Sequence, residues 1–194
     1  MVITKENKIK FRYSNPVFYH REYERQIRLN IDTLIFLRPL VPCDFKRLAL
    51  LFDSFSNETL FFRYFNYNPR IKGREIKRLL QAIYQDELVL VAELSQLEQR
   101  LLIGICELVL QKDDSEAAEC AITIIDTWQG KHLGIEMLKW LISLAAARDI
   151  KTLIGYYILG NLKVPAILRK SGYKYTINHY QNIIKFELFL EECE

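Results

Sequence analysis

The chain has 194 residues, half of them hydrophobic and 12% aromatic, and a net charge of only +3. That composition fits one folded domain with a packed core, and the small charge gives no general basis for binding nucleic acid. No apolar run approaches the roughly 20 residues of a membrane span, and the first eight residues lack the apolar middle of a secretion signal, so a cytoplasmic protein is expected.

Cys43, Cys106, Cys120 and Cys193 form no C-x-x-C pair and have no metal-ligand spacing with His20, His132 or His179, which predicts reduced thiols and no metal. Residues 1–25 mix Lys5, Lys8, Lys10 and Arg12 with Phe11, Tyr13, Phe18 and Tyr19. They read as a basic, aromatic arm packed on a domain spanning 26–194, its charges solvated or, alternatively, facing an acidic partner or a phosphate.

Strands are expected at 26–30 and 33–38, joined as a hairpin through Ile31-Asp32 and stopped by Pro39 and Pro42. Asp44 is a candidate N-cap for a helix whose apolar positions are Phe45, Leu48, Leu51, Phe52 and Phe55. Ser56 or Asn57 could cap a second helix through Tyr64, and a third is expected over 73–84. Strands at 87–94, 101–110 and 117–125 read as an antiparallel meander with polar turns at 95–99 and 112–115. A long helix to Arg148 follows, then a strand at 152–158, a helix at 163–170 and strands at 173–177 and 183–190.

The segment Asp126-Thr127-Trp128-Gln129-Gly130-Lys131-His132-Leu133-Gly134 joins a β-branched run to helical spacing at Leu133, Met137, Leu138, Leu141, Ile142 and Ala145. Unpaired N–H groups and the positive end of a helix dipole make such a junction an anion site, and glycines admit a ligand close to the backbone. A nucleotide-like cofactor with a pyrophosphate fits it.

Element order and motifs together resemble the GNAT acetyltransferase superfamily over about residues 27–190. The Q/R-x-x-G-x-G/A motif corresponds to Gln129-Gly130-Lys131-His132-Leu133-Gly134, with His132 in place of the first glycine of the pair. Ala118-Glu119-Cys120-Ala121, Leu159-Gly160-Asn161 and Lys170-Ser171-Gly172-Tyr173 fall in the family order. With Phe36-Leu37-Arg38-Pro39-Leu40-x-Pro42-x-Asp44, they look most like the bacterial protein-lysine acetyltransferases, whose GNAT domain is often fused to an ADP-forming acyl-CoA-synthetase-like domain.

The resemblance implies an α/β (α+β) fold, with a central mixed, mostly antiparallel twisted sheet flanked by helices. It also implies acetyl-CoA as co-substrate, with its pyrophosphate on the amides of Gln129, Gly130, Lys131, His132, Leu133 and Gly134. Ile124 and Ile125 would pair with the pantetheine arm and Asn161 would bind it or cap the next helix. Glu119 is the expected general base, since a lysine ammonium must lose a proton before it attacks a thioester. Its alternative is an outward strand carboxylate on the face of Ala121 and Thr123.

Leu168 stands where many relatives carry a tyrosine acid; Tyr156, Tyr157 or Tyr173 could substitute only if the fold brings one near the sulfur. Cys120 reads as packing rather than as a nucleophile. For His132 two backbone states are open: positive φ, with strain and weaker cofactor binding, or a helical state, favoured here, in which the imidazole is tolerated.

The expected reaction moves an acetyl group to a primary amine, protein lysine first and a small-molecule amine second. Its selectivity would be set by the aromatic segment 54–74. A homodimer is compatible with this reading. The alternative from another class is a non-catalytic acyl-CoA-binding sensor, motivated by His132 and the missing tyrosine.

Overall fold

The computed structural model describes residues 21–31, 33–66, 68, 70–82, 87–96 and 99–190. Most of the expected arm, Asp32 of the first hairpin, Tyr67, the end of the third helix at 83–84, turn residues 97–98, His20 and Cys193 lie outside them. The described residues form an eight-stranded sheet of β1 (Arg25–Arg28), β2 (Leu34–Pro39), β3 (Glu87–Gln96), β4 (Gln99–Leu110), β5 (Ala117–Ile124), β6 (Thr152–Ile158), β7 (Tyr175–Tyr180) and β8 (Ile183–Phe189), ordered β1-β2-β3-β4-β5-β6-β8-β7. All neighbours run antiparallel except β5 and β6, which are parallel.

Strand alternation divides the core between the two faces of this sheet. Leu88, Leu90, Cys106, Leu108, Ala118 and Cys120 meet the long helix α4 (Leu133–Ala146), which buries eight residues including Leu133, Met137 and Leu141. Val89, Val91 and Ile105 meet α1 (Phe45–Asp53), α2 (Asn57–Tyr64) and α3 (Ile71–Ala82) through Leu48, Phe52, Leu60 and Leu79. Each fully buried leucine or methionine contributes roughly 1.5–3 kcal/mol. The helix α5 (Lys163–Ser171) adds Leu168 to the α4 side.

Two local features depart from the sequence expectation, and a third gives the form of the turn expected ahead of the long helix. Asp44 stands at the N-cap of α1 but makes no side-chain cap bond. Its carboxylate is fully buried and takes a bidentate pair from Arg38 at 2.7 and 2.9 Å, with a further bond from the Val41 amide at 3.1 Å. Strand β7 starts at Tyr175 rather than Tyr173, because α5 runs to Ser171 and closes on Gly172 at φ 82°, and the tight turn before Ile183 sets its pairing with β8. Between β5 and α4 the chain makes a short 3-10 turn, Asp126–Trp128, so α4 begins only at Leu133.

Candidate active site

Strands β5 and β6 pair only at Ala117↔Thr152, Ala118↔Leu153 and Glu119↔Ile154, although both run on to Ile124 and Ile158. Beyond Glu119 they part, and the gap opens into a cleft. Its walls are Ile122 and Ile124 of β5, Tyr156 of β6, Val164 and Ile167 of α5, and Thr59, Phe62 and Arg63 of α2. Phe186 of β8 closes its base from a position over Gly155, where an added Cβ would lie 2.3 Å from the ring. Glycine at 155 is therefore what lets the ring sit there.

The main chain of β5 alternates between its two neighbours. The Ile125 amide donates to the Ile103 carbonyl at 3.0 Å and the Ile125 carbonyl accepts from the Trp128 amide at 2.9 Å, so Ile125 is committed to the protein at both polar groups. By the same alternation Ile122 and Ile124 turn their main chains toward the cleft. The Ile124 carbonyl there receives the Gln129 side-chain amide at 2.8 Å. Of Ile124 and Ile125, only Ile124 turns its backbone toward the cleft; Ile122 does so too, a placement readable from strand parity once the β4 partner is known.

At the mouth, Gly130 has φ 73° with open space around its Cα, and His132, the N-cap of α4, has φ 65°. This is the strained state of the two left open for His132, not the helical one that was favoured. An L-residue there costs about 1–2 kcal/mol, though His enters this region more readily than most. The first internal bond of α4 runs from the Glu136 amide to the His132 carbonyl at 3.3 Å. Ahead of it the amides of residues 130–135 have no main-chain acceptor among the described residues. This row of donors sits on the positive end of a fourteen-residue helix.

The other candidate residues occupy distinct places. Leu133 is fully buried, so only its amide faces the mouth, and a Cβ on Gly134 would lie 3.0 Å from Ile167 and 3.5 Å from Ile124, so Gly134 serves close packing of α4 on α5. Lys131 lies over the Trp128 ring at 5.0 Å. The Asn161 side-chain oxygen accepts from the Lys163 amide, the first of α5, at 3.1 Å from the position before the N-cap Leu162, and Asn161 also borders the cleft. Lys163 reaches across to the Gln129 side-chain oxygen at 2.5 Å. The spacing Asn161-x-Lys163 was the only sequence signal for it.

Glu119, half-buried, is the last β5 residue paired with β6; it stands at the vertex of the splay on the α1–α3 face, next to Cys120, the first cleft-lining residue of β5. Burial pushes its carboxyl above the ordinary glutamate range; Arg63 and Arg78 oppose that rise and Glu107 adds to it. Glu107, on β4, is almost fully buried and binds Arg63 at 2.7 Å and Arg78 by a close contact. Burial would raise Glu107 as well, but the two guanidiniums hold it below the usual range. The Glu119 side chain makes no hydrogen bond or ion pair among the described residues, so of these two carboxylates Glu107 is paired with guanidiniums and Glu119 is not.

Other expected groups separate cleanly. Burial pushes the Cys120 thiol up to about 12, which removes the thiolate a nucleophile needs near neutral pH. Leu168 lines the cleft with 1% exposure. Tyr156 lines it too, whereas Tyr157 is buried in the α4-side core and Tyr173 packs at its edge. In the aromatic segment Phe62 borders the cleft, Phe55 is buried and Tyr64 stacks on Phe52 at 6.5 Å. Among the described residues no three His, Cys, Asp or Glu side chains come together as a metal site, and no helix is long and apolar enough to cross a membrane.

Known proteins share this fold. Residues 35–174 match the acetyltransferase (GNAT) domain family. The GNAT domain of S. lividans PAT is similar in structure with a TM-score of 0.76 and 19% identity, over 88% of this chain and 98% of that one. A spermidine N-acetyltransferase from Vibrio cholerae, solved with CoA and spermine, has a TM-score of 0.64 and 16% identity over 80% of this chain and 95% of that one. An N-acetyltransferase from Staphylococcus aureus Mu50 has a TM-score of 0.62 and 16% identity over 81% and 99%. At these identities the structural likeness is one of fold. A family match across most of the sequence, on a sheet split between the one parallel pair of strands among the described residues, means that the chain belongs to the GNAT acetyltransferase family.

Proposed function

We propose that the protein transfers an acetyl group from acetyl-CoA to a primary amine, protein lysine being the first acceptor class and a small-molecule amine the second, by direct attack in a ternary complex. The observation that carries this reading is the position of Glu119 at the closed end of the β5–β6 splay, with the unpaired amides of residues 130–135 at its open end. Those amides suit a pyrophosphate, and the main chains of Ile122 and Ile124 suit an extended amide-bearing arm between them. The cofactor supplies the activated acyl thioester. Glu119, directly or through a water, takes the proton of the acceptor ammonium, and the free amine then attacks the acyl carbon. With Leu168 at the usual place of the acid, the thiolate leaves unassisted by that position.

Incubation with acetyl-CoA and a panel of lysine-bearing proteins and amines should release free CoA, and Glu119→Gln should reduce the rate at least about 100-fold, the low end of general-base effects. Because the base works only when ionised and burial raises its pKa, the rate should climb with pH across a window above the ordinary glutamate range. Full activity in Glu119→Gln would reject the assignment. Calorimetric binding of CoA with no transfer to any acceptor would favour the sensor reading, which the leucine at 168 and the strained His132 support.

A further inference from the structure

The cofactor turn and the acceptor-side helix are joined by a compact hydrogen-bond set that the reaction itself does not require. The Asp126 carboxylate, at the start of the 3-10 turn, accepts from the Ser56 amide at 3.0 Å, the Ser56 hydroxyl at 2.7 Å and the Thr59 hydroxyl at 3.0 Å. Thr59 in turn accepts from the Gln129 side-chain amide at 3.0 Å. Ser56 is the N-cap of α2, and Asp126 lies 70 residues away in sequence. Burial acts to raise the Asp126 carboxyl, but the hydrogen bonds from Ser56 and Thr59 together bring it below its ordinary range, so the anion is present near neutral pH.

Helix α2 depends on such tethers. Eight residues are too few for a stable helix in isolation, and this one ends on Phe65 in the left-handed state at φ 57°. Its C-terminal half is tied to the sheet through Arg63 and Glu107, its N-terminal end through Asp126. Phe62 lies between the two ties, and with Thr59 and Arg63, which belong to the ties themselves, it is the α2 contribution to the cleft.

We propose that Asp126 is a positioning residue that latches α2 to the cofactor turn, so that filling the anion site fixes the wall against which the acceptor amine docks. Asp126 and Gln129 hold Thr59 from one side, while residues 130–135 offer their amides to the ligand from the other. Ordering of the turn therefore passes to α2 through four hydrogen bonds. The latch rests on the reading of the mouth as a CoA site.

Hydrogen exchange of the full chain, with and without CoA, tests it without any knowledge of the acceptor. In the unmodified protein CoA should slow exchange at the turn, at the start of α4 and also in α2, the last by roughly fivefold or more, the low end of measured site-to-site couplings. In Asp126→Ala protection should remain at the turn and α4 but vanish from α2, and in Thr59→Val, which removes two of the four bonds with little change of shape, it should weaken there. Thr59→Ser should restore it. Equal protection of α2 in the unmodified chain and Asp126→Ala, or none in the unmodified chain while α4 responds, overturns the latch alone. No protection anywhere overturns the cofactor reading and takes the latch with it.

Discussion

Gly130 and His132 stand two residues apart in the same left-handed backbone state, at φ 73° and 65°, and only one is a glycine. A Cβ at Gly130 would meet nothing within 4 Å, so Gly130→Ala isolates the backbone term and should cost about 1–2 kcal/mol. His132→Gly relieves the same strain but gives the unfolded chain more freedom, a loss of about 0.4–1 kcal/mol, and should leave a net gain of about 0–1.6 kcal/mol. Urea denaturation measures both; a neutral Gly130→Ala would mean that the turn tolerates side chains and that φ is not what selects glycine there. The sequence marks this turn as glycine-bearing, but φ is set by how β5 and α4 approach each other, which is why the state of His132 was open until the fold was known.

Strand β6 shows how one element shapes the cleft. An added Cβ at Gly155 would meet Phe186 ring atoms at 2.3 and 2.4 Å and the Cys120 carbonyl at 3.2 Å. Gly155→Ala should therefore cost about 1–3 kcal/mol, the range for overpacking a filled core. Adding Phe186→Leu to it should cost less than the sum of the two single changes, since the colliding atoms are those removed; a strictly additive double-mutant cycle would argue that the ring does not press on this strand. At the level of elements the sequence is informative: β6 falls at residues 152–158 as expected and α2 ends at Tyr64. What it leaves unstated is that β5 and β6 part after three residues, because the pairing of two strands depends on segments far apart in the sequence and not on either strand's own pattern.

Across the whole molecule, charge is buried in two clusters on the α1–α3 face. Arg38, Asp44, Glu93 and Arg47 form one, with Arg38–Glu93 at 2.8 Å and Arg47–Glu93 at 3.0 Å; Glu107, Arg63 and Arg78 form the other. Removing one partner of such a pair strands a buried charge, so Asp44→Ala should cost about 3–5 kcal/mol. Asp53, 70% exposed and paired with Lys72 at 3.2 Å, belongs to a class of surface pair worth about 0–1 kcal/mol, so Asp53→Ala is the control.

Burial would raise Asp44 and Glu107, but their arginine partners bring both below the usual carboxylate range. A carboxylate depressed in the native state gives its full stabilisation above the unfolded pKa and loses it as pH falls toward the native value. Stability should accordingly drop below about pH 4, and Asp44→Ala should flatten that drop. Glu119 acts in the opposite sense, its raised pKa making ionisation unfavourable to folding as pH climbs. An acid limb unchanged in Asp44→Ala would remove Asp44 as its source.

Local regularities are what the sequence determined by itself: strand alternation, helix spacing, the cap at Ser56 and the glycine turn ahead of α4, because each depends on residues within a few positions of one another. The motif from Phe36 to Asp44 was also visible, but its reason was not: Arg38 and Asp44 meet as a buried bidentate pair instead of Asp44 capping α1. Only the tertiary structure decided the splay, the commitment of Ile125 to β4 and the bond set from Asp126 to Ser56 and Thr59. Those depend on distances between segments as much as 70 residues apart, which follow from how the two faces of the sheet are covered and not from any local pattern.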